Sequence, residues 1–371
     1  MTNDEYLRVL VVAETVVYRK IVSDALAEIP GVEVVGTANN GKIAMPKIAF
    51  LKPDLLTLDI EMPEMNGLEV LARMNTEAPD VGAIMLSAST HKGGEVTIKA
   101  LGLGAFDFIL KPQDGSMAEK KQAISDSLAP IIKAFARRHE IRRILKGKST
   151  SAGTASEKKI APDFAGVAQG MRAITGRKKT KSEIVGIGIS TGGPNALAQI
   201  MPRLPSDLNA PILIVQHMPP VFTQSLANSL NSKCAIEVRE AVDGEHIRPN
   251  TALIAPGGKQ MKVMPSADGK TGIVRITDDP PENSCKPSVD YLFRSIAHHY
   301  VGRATGVIMT GMGSDGTLGL KLMKRNGATI IAQDEQTCVI YGMSKEPIES
   351  GIVDVIASLD NIAEEICRTV R

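Results

Sequence analysis

Ile184-Val185-Gly186-Ile187-Gly188-Ile189-Ser190-Thr191-Gly192-Gly193-Pro194-Asn195 is the stretch that decides the fold of the second half of the chain. Its first six residues are apolar or glycine, as in a parallel strand buried on both faces. Ser190 follows among small residues, then a glycine pair, then Pro194 at a first-helical position. The run Ala196 to Met201 has helical composition and apolar spacing. The reading is strand, tight turn, helix. It sets one hydroxyl at the carboxyl end of a strand, beside the free N–H groups of a helix start. Gly188-Ile189-Ser190-Thr191-Gly192 also fits the G-x-S-x-G nucleophile elbow. A dinucleotide loop would need glycine where Thr191 stands and an acidic end to the next strand, but Pro211–Val215 runs into Gln216-His217. A P-loop would need Gly-Lys-Ser/Thr, which is absent. The stretch taken alone is equally compatible with a plain strand-to-helix turn that happens to contain a serine.

A chain of 371 residues with a formal charge of +2 can bury more than one core and carries no overall bias toward nucleic acid or membranes. Cys234, Cys285, Cys338 and Cys367 lie far apart, with no Cys-x-x-Cys pair and no histidines at metal-finger spacing. That pattern suits a reducing, cytoplasmic setting and predicts no zinc site. The N-terminus lacks the basic and apolar regions of a signal peptide. No apolar run approaches the ~20 residues of a membrane helix. With no tryptophan and few aromatics, a base-stacking nucleic-acid platform is not expected.

The first third of the chain alternates strand and helix. Strands are expected at Leu7–Val12, Val32–Val35, Leu55–Leu58, Val81–Leu86 and Phe106–Leu110. Helices are expected at Tyr18–Glu28, Asn40–Leu51, Leu68–Asn75 and Lys92–Leu101, and a long one from Ser116 onward. Pro46 suggests a kink or a late start in the second helix, and Val96-Thr97-Ile98 weaken the fourth. Five such units fit a doubly wound parallel sheet whose crevice lies at the strands' carboxyl ends. Asp59, Ser87 and Lys111 stand at those ends.

An aspartate, a hydroxyl and a lysine in these places, with Pro53-Asp54-Leu55-Leu56-Thr57-Leu58-Asp59-Ile60-Glu61-Met62-Pro63-Glu64-Met65-Asn66-Gly67, resemble the receiver domain of bacterial response regulators. The resemblance implies a flavodoxin-like (βα)5 fold over residues 4–128. It implies Asp59 as phosphoacceptor, Ser87 and Lys111 as ligands of the phosphoryl oxygens, and Phe108 in the aromatic switch position. After the first strand the family carries two adjacent acidic residues for Mg²⁺. Here the pair is Ala13-Glu14, followed by Thr15. Glu14 and Asp59 remain as metal ligands. One carboxylate is missing and the other is longer by a methylene, which predicts weakened Mg²⁺ binding and slow or absent phosphorylation; the competing reading is that Glu14 and Asp59 suffice.

From Ala129 the helical pattern continues through Leu145, then gives way to the small-residue tether Ser149 to Ser156 and a basic cluster, Arg177-Lys178-Lys179-Thr180-Lys181. Residues 129–182 thus read as a linker, with a solvated tether or a dock for an acidic partner as alternatives for the basic cluster.

In residues 183–371 the strand-then-polar-turn scheme recurs. Pro211–Val215 ends in Gln216-His217, and Thr305–Met309 leads into Thr310-Gly311-Met312-Gly313-Ser314-Asp315-Gly316. Shorter strands are expected at Ile236–Val238, Ala252–Ala255 and Ala328–Ala332, and a hairpin across Met261–Thr277 turning at Asp268-Gly269. Ser288 reads as the N-cap of a helix Val289–His299. The fold class is α/β, with a mainly parallel sheet flanked by helices. Three strand ends present Ser190, His217 and Asp315, the parts of a nucleophilic triad. Their chain order differs from the familiar ones, which argues against an ordinary α/β-hydrolase. His91, His139, His246 and His298-His299 fall in peripheral, turn or helix-end positions.

Gly188-Ile189-Ser190-Thr191-Gly192-Gly193, Gln216-His217-Met218-Pro219, Ile254-Ala255-Pro256-Gly257, Lys286-Pro287-Ser288-Val289-Asp290 and Met309 to Gly316 together resemble the catalytic domain of the chemotaxis protein-glutamate methylesterases. With a receiver in front, the resemblance covers nearly the whole chain. It implies hydrolysis of γ-glutamyl methyl esters, and deamidation of selected glutamines, on methyl-accepting chemotaxis receptors. It implies Ser190, His217 and Asp315 as the triad and the backbone N–H groups of Thr191 and Met312 as the oxyanion hole. Ser314 stands where the family often has asparagine. No cofactor is expected for this chemistry. A chemotaxis histidine kinase would be the phosphodonor, and the resting receiver would cover the crevice. A non-enzymatic signalling adaptor and a hydrolase of other esters are the competing readings.

Overall fold

The computed structural model describes residues 6–149, 181–266 and 272–370. The tether beyond Ser149, the basic cluster from Arg177 to Thr180 and the expected turn at Asp268-Gly269 lie outside the described residues. No helix among the described residues is long and apolar enough to cross a membrane.

The first domain is built from β1 (Leu7–Val12), α1 (Val16–Ala27), β2 (Val32–Ala38), α2 (Gly41–Leu51), β3 (Leu55–Asp59), α3 (Gly67–Glu77), β4 (Gly82–Ser87), α4 (His91–Gly102), β5 (Asp107–Leu110) and α5 (Met117–Ser149). The sheet order is β2-β1-β3-β4-β5, all parallel. Helices cover both faces, and so β3 is buried at every position. Asp59 closes β3 and Ser87 closes β4. The weak helical pattern around Val96 is resolved by its start. The Thr90 side chain accepts the Gly93 N–H, an N-cap that sets α4 running before the β-branched residues are reached. Pro46 does not delay α2, which starts at Gly41 behind the Asn40 cap and carries the proline inside. On α5, Ile124, Leu128, Ile131, Ile132 and Phe135 fall on one stripe and join the core with Ile21, Val22 and Leu26 of α1. Packing on the receiver sheet thus continues beyond residue 128.

The second domain contains β6 (Ile184–Ile189), α6 (Gly193–Ile200), β7 (Ile212–Gln216), α7 (Phe222–Asn231), β8 (Glu237–Glu240), β9 (Thr251–Ile254), β10 (Gln260–Pro265), β11 (Gly272–Thr277), α8 (Val289–His299), β12 (Ala304–Ile308), α9 (Thr317–Arg325), β13 (Thr329–Gln333), α10 (Lys345–Glu349), β14 (Val355–Ala357) and α11 (Leu359–Val370). Its seven-stranded sheet has the order β14-β13-β12-β6-β7-β9-β8, and each pair is parallel. β10 and β11 form a separate antiparallel hairpin. The chain leaves β6 toward β7 and later returns to β12 on the other side of β6. That reversal opens a crevice at the carboxyl ends of β12, β6 and β7. The C-terminal α11 lays Ile362, Ala363, Ile366 and Val370 inward, and Ser182 N–H donates to Thr369 O at 2.8 Å, tying the domain's two ends together.

Gly188 lets the β6 backbone approach the first turn of α8. A Cβ there would collide with Val289 Cγ1 and sit 3.1 Å from Ile308 Cδ1. Gly188→Ala is therefore expected to destabilise the protein by about 1–3 kcal/mol. In urea unfolding this reads as a lower midpoint at constant m-value; an unchanged midpoint would contradict this packing.

Candidate active site

Neighbouring strands bring the candidate residues together. β6 lies between β12 and β7, with Gly188 opposite Ile308 on one side and Val215 on the other. Ser190 N–H donates to Thr310 O at 2.9 Å, and His217 N–H donates to Ile189 O at 3.1 Å. The residues just beyond each strand are thus locked in register. The turn after Ser190 needs its glycines. Gly192 has φ +78°, a left-handed conformation. A Cβ on Gly193 would overlap Gln216 Oε1. The buried Gln216 amide donates to Ser190 O and to His217 O, both at 3.0 Å, and so braces the serine and histidine turns against each other.

Asp315 is the most heavily held group of the site and is almost fully buried. Its Oδ1 accepts Ser288 Oγ at 2.8 Å, Asp290 N–H at 3.1 Å and Asn283 Nδ2 at 3.3 Å. Its Oδ2 accepts Val289 N–H at 2.7 Å and lies 2.8 Å from His217 Nε2. The carboxylate thus sits on the first turn of α8, where free N–H groups and the helix dipole favour an anion. Burial works against its charge, but His217 and the N–H groups of Val289 and Asp290 prevail and hold its pKa below the ordinary carboxylate value. Asp290, beside it, is pushed up by burial and by Asp315, and is partly offset by the Gly319 N–H, which donates to it at 2.7 Å.

The His217 side chain is 16% exposed. Burial disfavours its charged form, yet its contacts with Asp315 and Cys285 raise its pKa to about 9. With Nε2 on Asp315, Nδ1 is the ring nitrogen left to face the crevice. The atom nearest to hydrogen-bonding it is Cys285 Sγ at 3.8 Å. The structure therefore pairs His217 with Asp315 and sets Ser190 at the adjoining strand end. Among the described residues, the Ser190 hydroxyl is not hydrogen-bonded to the ring. The N–H groups of Thr191 and Met312 donate to no backbone carbonyl among the described residues, so both remain free to meet a ligand oxygen.

The Ser288 hydroxyl, which the sequence marks as a helix cap, also holds Asp315. Gln216, Asn283 and Cys285 belong to the site without being candidates from sequence alone. The Ser288-Val289-Asp290 start of α8 carried a signal, since an N-cap serine followed by an acid marks an anion-ready helix start. Asn283 and Cys285 gave none, because their contacts span long loops.

In the first domain, Lys111 Nζ lies 2.5 Å from both carboxyl oxygens of Asp59. Burial raises the Asp59 pKa, while Lys111 and the N–H groups of Glu14 and Glu61 pull it back. The Ser87 hydroxyl bonds Thr97 Oγ1 at 2.7 Å, on α4. Ala13 is fully buried and Glu14 is exposed. Asp59 thus offers one buried carboxylate, with the backbone N–H of Glu14 against it; Mg²⁺ commonly takes one or two carboxylates from protein, so Asp59 alone meets the lower figure.

The two domains meet beside the crevice. The Phe108 ring stacks on Phe222, the first residue of α7, at 4.8 Å between centroids. Asp107 accepts the N–H of Phe108 at 2.8 Å and lies beside the Thr191 side chain, both of which favour its charge; burial is the larger effect and pushes its pKa up to about 7. Asn195 Nδ2 donates to Ala105 O at 3.4 Å.

The chain matches the family model described as CheB methylesterase over residues 185–366, and the response regulator receiver domain over residues 9–121. It is 55% identical over 366 residues to a protein-glutamate methylesterase/protein-glutamine glutaminase of Desulfotalea psychrophila, covering 98% of this chain and 99% of that one. It is 42% identical over 370 residues to the Bacillus subtilis protein of the same description, covering 98% and 99%. A crystal structure of the Thermotoga maritima CheB methylesterase catalytic domain is 40% identical, covers 51% of this chain and 99% of that one, and superposes with a TM-score of 0.49. A receiver sheet joined to a crevice that holds a serine, a histidine and a caged aspartate, with relatives aligned from end to end, leads to one conclusion: the chain belongs to the protein-glutamate methylesterase/protein-glutamine glutaminase family with an N-terminal receiver domain.

Proposed function

We propose that Ser190, His217 and Asp315 hydrolyse γ-glutamyl methyl esters, and deamidate selected glutamines, on methyl-accepting chemotaxis receptors. The observation that carries this reading is the 2.8 Å contact of His217 Nε2 with Asp315 Oδ2, one strand away from Ser190. Asp315 fixes the proton on Nε2, so Nδ1 takes the Ser190 proton as Oγ attacks the ester carbonyl. The apo hydroxyl need not already be bonded to the ring, since such contacts tighten with substrate in place. The N–H groups of Thr191 and Met312 receive the oxyanion; such donors contribute on the order of 10²–10³ in rate each. Collapse expels methoxide, which leaves as methanol with the proton from Nδ1. Water then attacks the acyl-serine by the same relay and frees the glutamate. A glutamine substrate releases ammonia in the first step.

The receiver regulates this site through the Phe108–Phe222 stack and the Asp107–Thr191 contact, which press β5 against the serine and histidine turns. A chemotaxis histidine kinase supplies the phosphoryl group to Asp59. The added charge competes for Lys111 and loosens the packing around Phe108. Glu14 and Asp59 would hold Mg²⁺, which supplies charge neutralisation for the incoming phosphoryl group. With Ala13 in place of a carboxylate, binding is weaker than in receivers with two adjacent acids.

Ser190→Ala is expected to abolish methanol release from methylated receptor while leaving the urea midpoint in place; retained activity would remove the nucleophile. The pH dependence has a definite sign. The His217 pKa is raised from 6.5 to about 9, so the neutral base is scarce at neutral pH. kcat/KM should climb about tenfold per pH unit up to a plateau near 9. The stability contributed by the imidazolium is complete below about pH 6.5 and is lost as pH rises through 9. A flat rate profile from pH 6.5 to 9 would contradict His217 as the base. Ala13→Asp is expected to lower the Mg²⁺ concentration needed for half-maximal labelling of Asp59 by a small phosphodonor about tenfold. Equal labelling of both proteins at low Mg²⁺ would show that Glu14 and Asp59 suffice.

A further inference from the structure

The sequence predicted no zinc site, yet folding gathers a ligand set. Among the described residues, His217, Cys285 and Asp315 each offer a donor atom, and these atoms all lie within 4.8 Å of one another. They come from three separate parts of the chain: the loop after β7, the loop before α8 and the loop after β12.

Asp315 cannot act as a ready ligand, because both its oxygens already accept from Ser288, Asn283, Val289, Asp290 and His217. Its place is behind the imidazole. A carboxylate on one ring nitrogen fixes the tautomer and raises the basicity of the other, the usual support of a metal-bound histidine. That leaves Nδ1 of His217 facing Cys285 Sγ, 3.8 Å away, as the ring nitrogen a cation can take once its proton has left. A tetrahedral zinc with ordinary bond lengths separates its nitrogen and sulfur ligands by about 3.5 Å. The two atoms therefore need to move by only a few tenths of an ångström.

The thiol is held on a braced loop. Glu282 and Cys285 exchange N–H···O bonds of 3.1 and 2.7 Å, and Arg294 grips the Glu282 carboxylate with contacts of 2.8 and 2.5 Å. Asn283 ties the loop to Asp290 at 3.0 Å and to Asp315. Cys285 is partly exposed, so a cation can reach it from the crevice. A thiolate and an imidazole select zinc-like cations over Mg²⁺ or Ca²⁺, which prefer oxygen.

We infer that Cys285 Sγ and His217 Nδ1 form a binding site for a thiophilic divalent cation of the zinc class, whose occupation silences the esterase. Binding displaces the thiol proton and, from the charged ring, the Nδ1 proton to solvent, so that Sγ and the Nδ1 lone pair both reach the cation, with water in the remaining positions. The inhibitory consequence rests on the proposed role of Nδ1 as the base for Ser190; the binding itself does not.

The test uses full-length protein and two readouts. Zn²⁺ is titrated against methanol release, each protein normalised to its own zinc-free rate. Co²⁺ is titrated separately and followed by the near-ultraviolet thiolate-to-cobalt charge-transfer band. Cys285→Ser is compared with wild type and with Cys234→Ser, a partly buried cysteine elsewhere. The expected result is reversible inhibition of wild type and Cys234→Ser, relieved by a chelator. Cys285→Ser should need about tenfold more Zn²⁺ or greater and should lose the cobalt band. Equal sensitivity in Cys285→Ser, or a cobalt band that survives in it, overturns the proposal. A band that depends on Cys285 without inhibition of methanol release upholds the cation site and overturns its inhibitory role. If no protein releases methanol, the catalytic reading fails, while the cobalt band still decides whether the cation site exists.

Discussion

A single buried carboxylate organises the catalytic half of this protein. Asp315 has five hydrogen-bonding partners, and three of them are the N-cap and first two residues of α8. An ionised group out of water is costly unless its lone pairs are filled. Here the helix start fills them, and α8 is in turn fixed by Gly188 and Gly316, whose missing side chains admit Val289. Removing any one of these would leave the charge short of a donor or move it from His217. The position of the imidazole is therefore a property of the α8–β6–β12 packing as a whole.

The crevice itself follows from topology. Because the chain winds outward from β6 in both directions, the loops after β12, β6 and β7 diverge around one gap. Ser190, His217, Asp315 and the N–H groups of Thr191 and Met312 can then come from distant sequence positions and still flank one gap. Gln216 shows how short polar links convert this proximity into geometry, since one amide holds the serine and histidine turns together. The receiver face is applied next to these turns. Phe108 and Lys111 both follow from β5, so the residue that touches Asp59 and the residue that touches α7 lie on one short segment. A change of charge at Asp59 would reach the catalytic domain through that segment, provided that the two charge states differ in their contacts there, as coupling requires.

Much of this was legible in the sequence for definite reasons. Continuous apolar runs ending in Asp59, Ser190 and Gln216-His217 announce buried parallel strands, and buried strands leave chemistry only at their ends. The glycines around Ser190 announce a turn that side chains would block. Other features were not legible. The elements after β13 form a short helix, a three-residue strand and α11, too brief or too plainly amphipathic to be placed on the sheet without their partners. The start of α2 was legible at Asn40, but not that Pro46 would be carried inside the helix, which its packing of Ala44, Met45 and Ile48 supports. Asn283 and Cys285 acquire their neighbours only when loops far apart in sequence are folded together, so no spacing rule could have paired them with His217.

The same imidazole illustrates why the site is finely balanced. The proposed role as base needs a ring basic enough to take a proton from Ser190, and Asp315 supplies that basicity; the same support, with Cys285 alongside, lifts the His217 pKa to about 9 and leaves it largely protonated at neutral pH. A stronger carboxylate contact would raise the basicity of Nδ1 and lower the fraction of molecules in which Nδ1 is free. The cage around Asp315 moderates this conflict. By spending four of its contacts on Ser288, Val289, Asp290 and Asn283, the carboxylate is stabilised without relying on the imidazolium alone, so its negative charge persists when His217 is neutral. Loss of the His217 proton therefore does not strand an unpaired buried anion. That independence is what the proposed base would require, since its ring must change protonation state in each turnover.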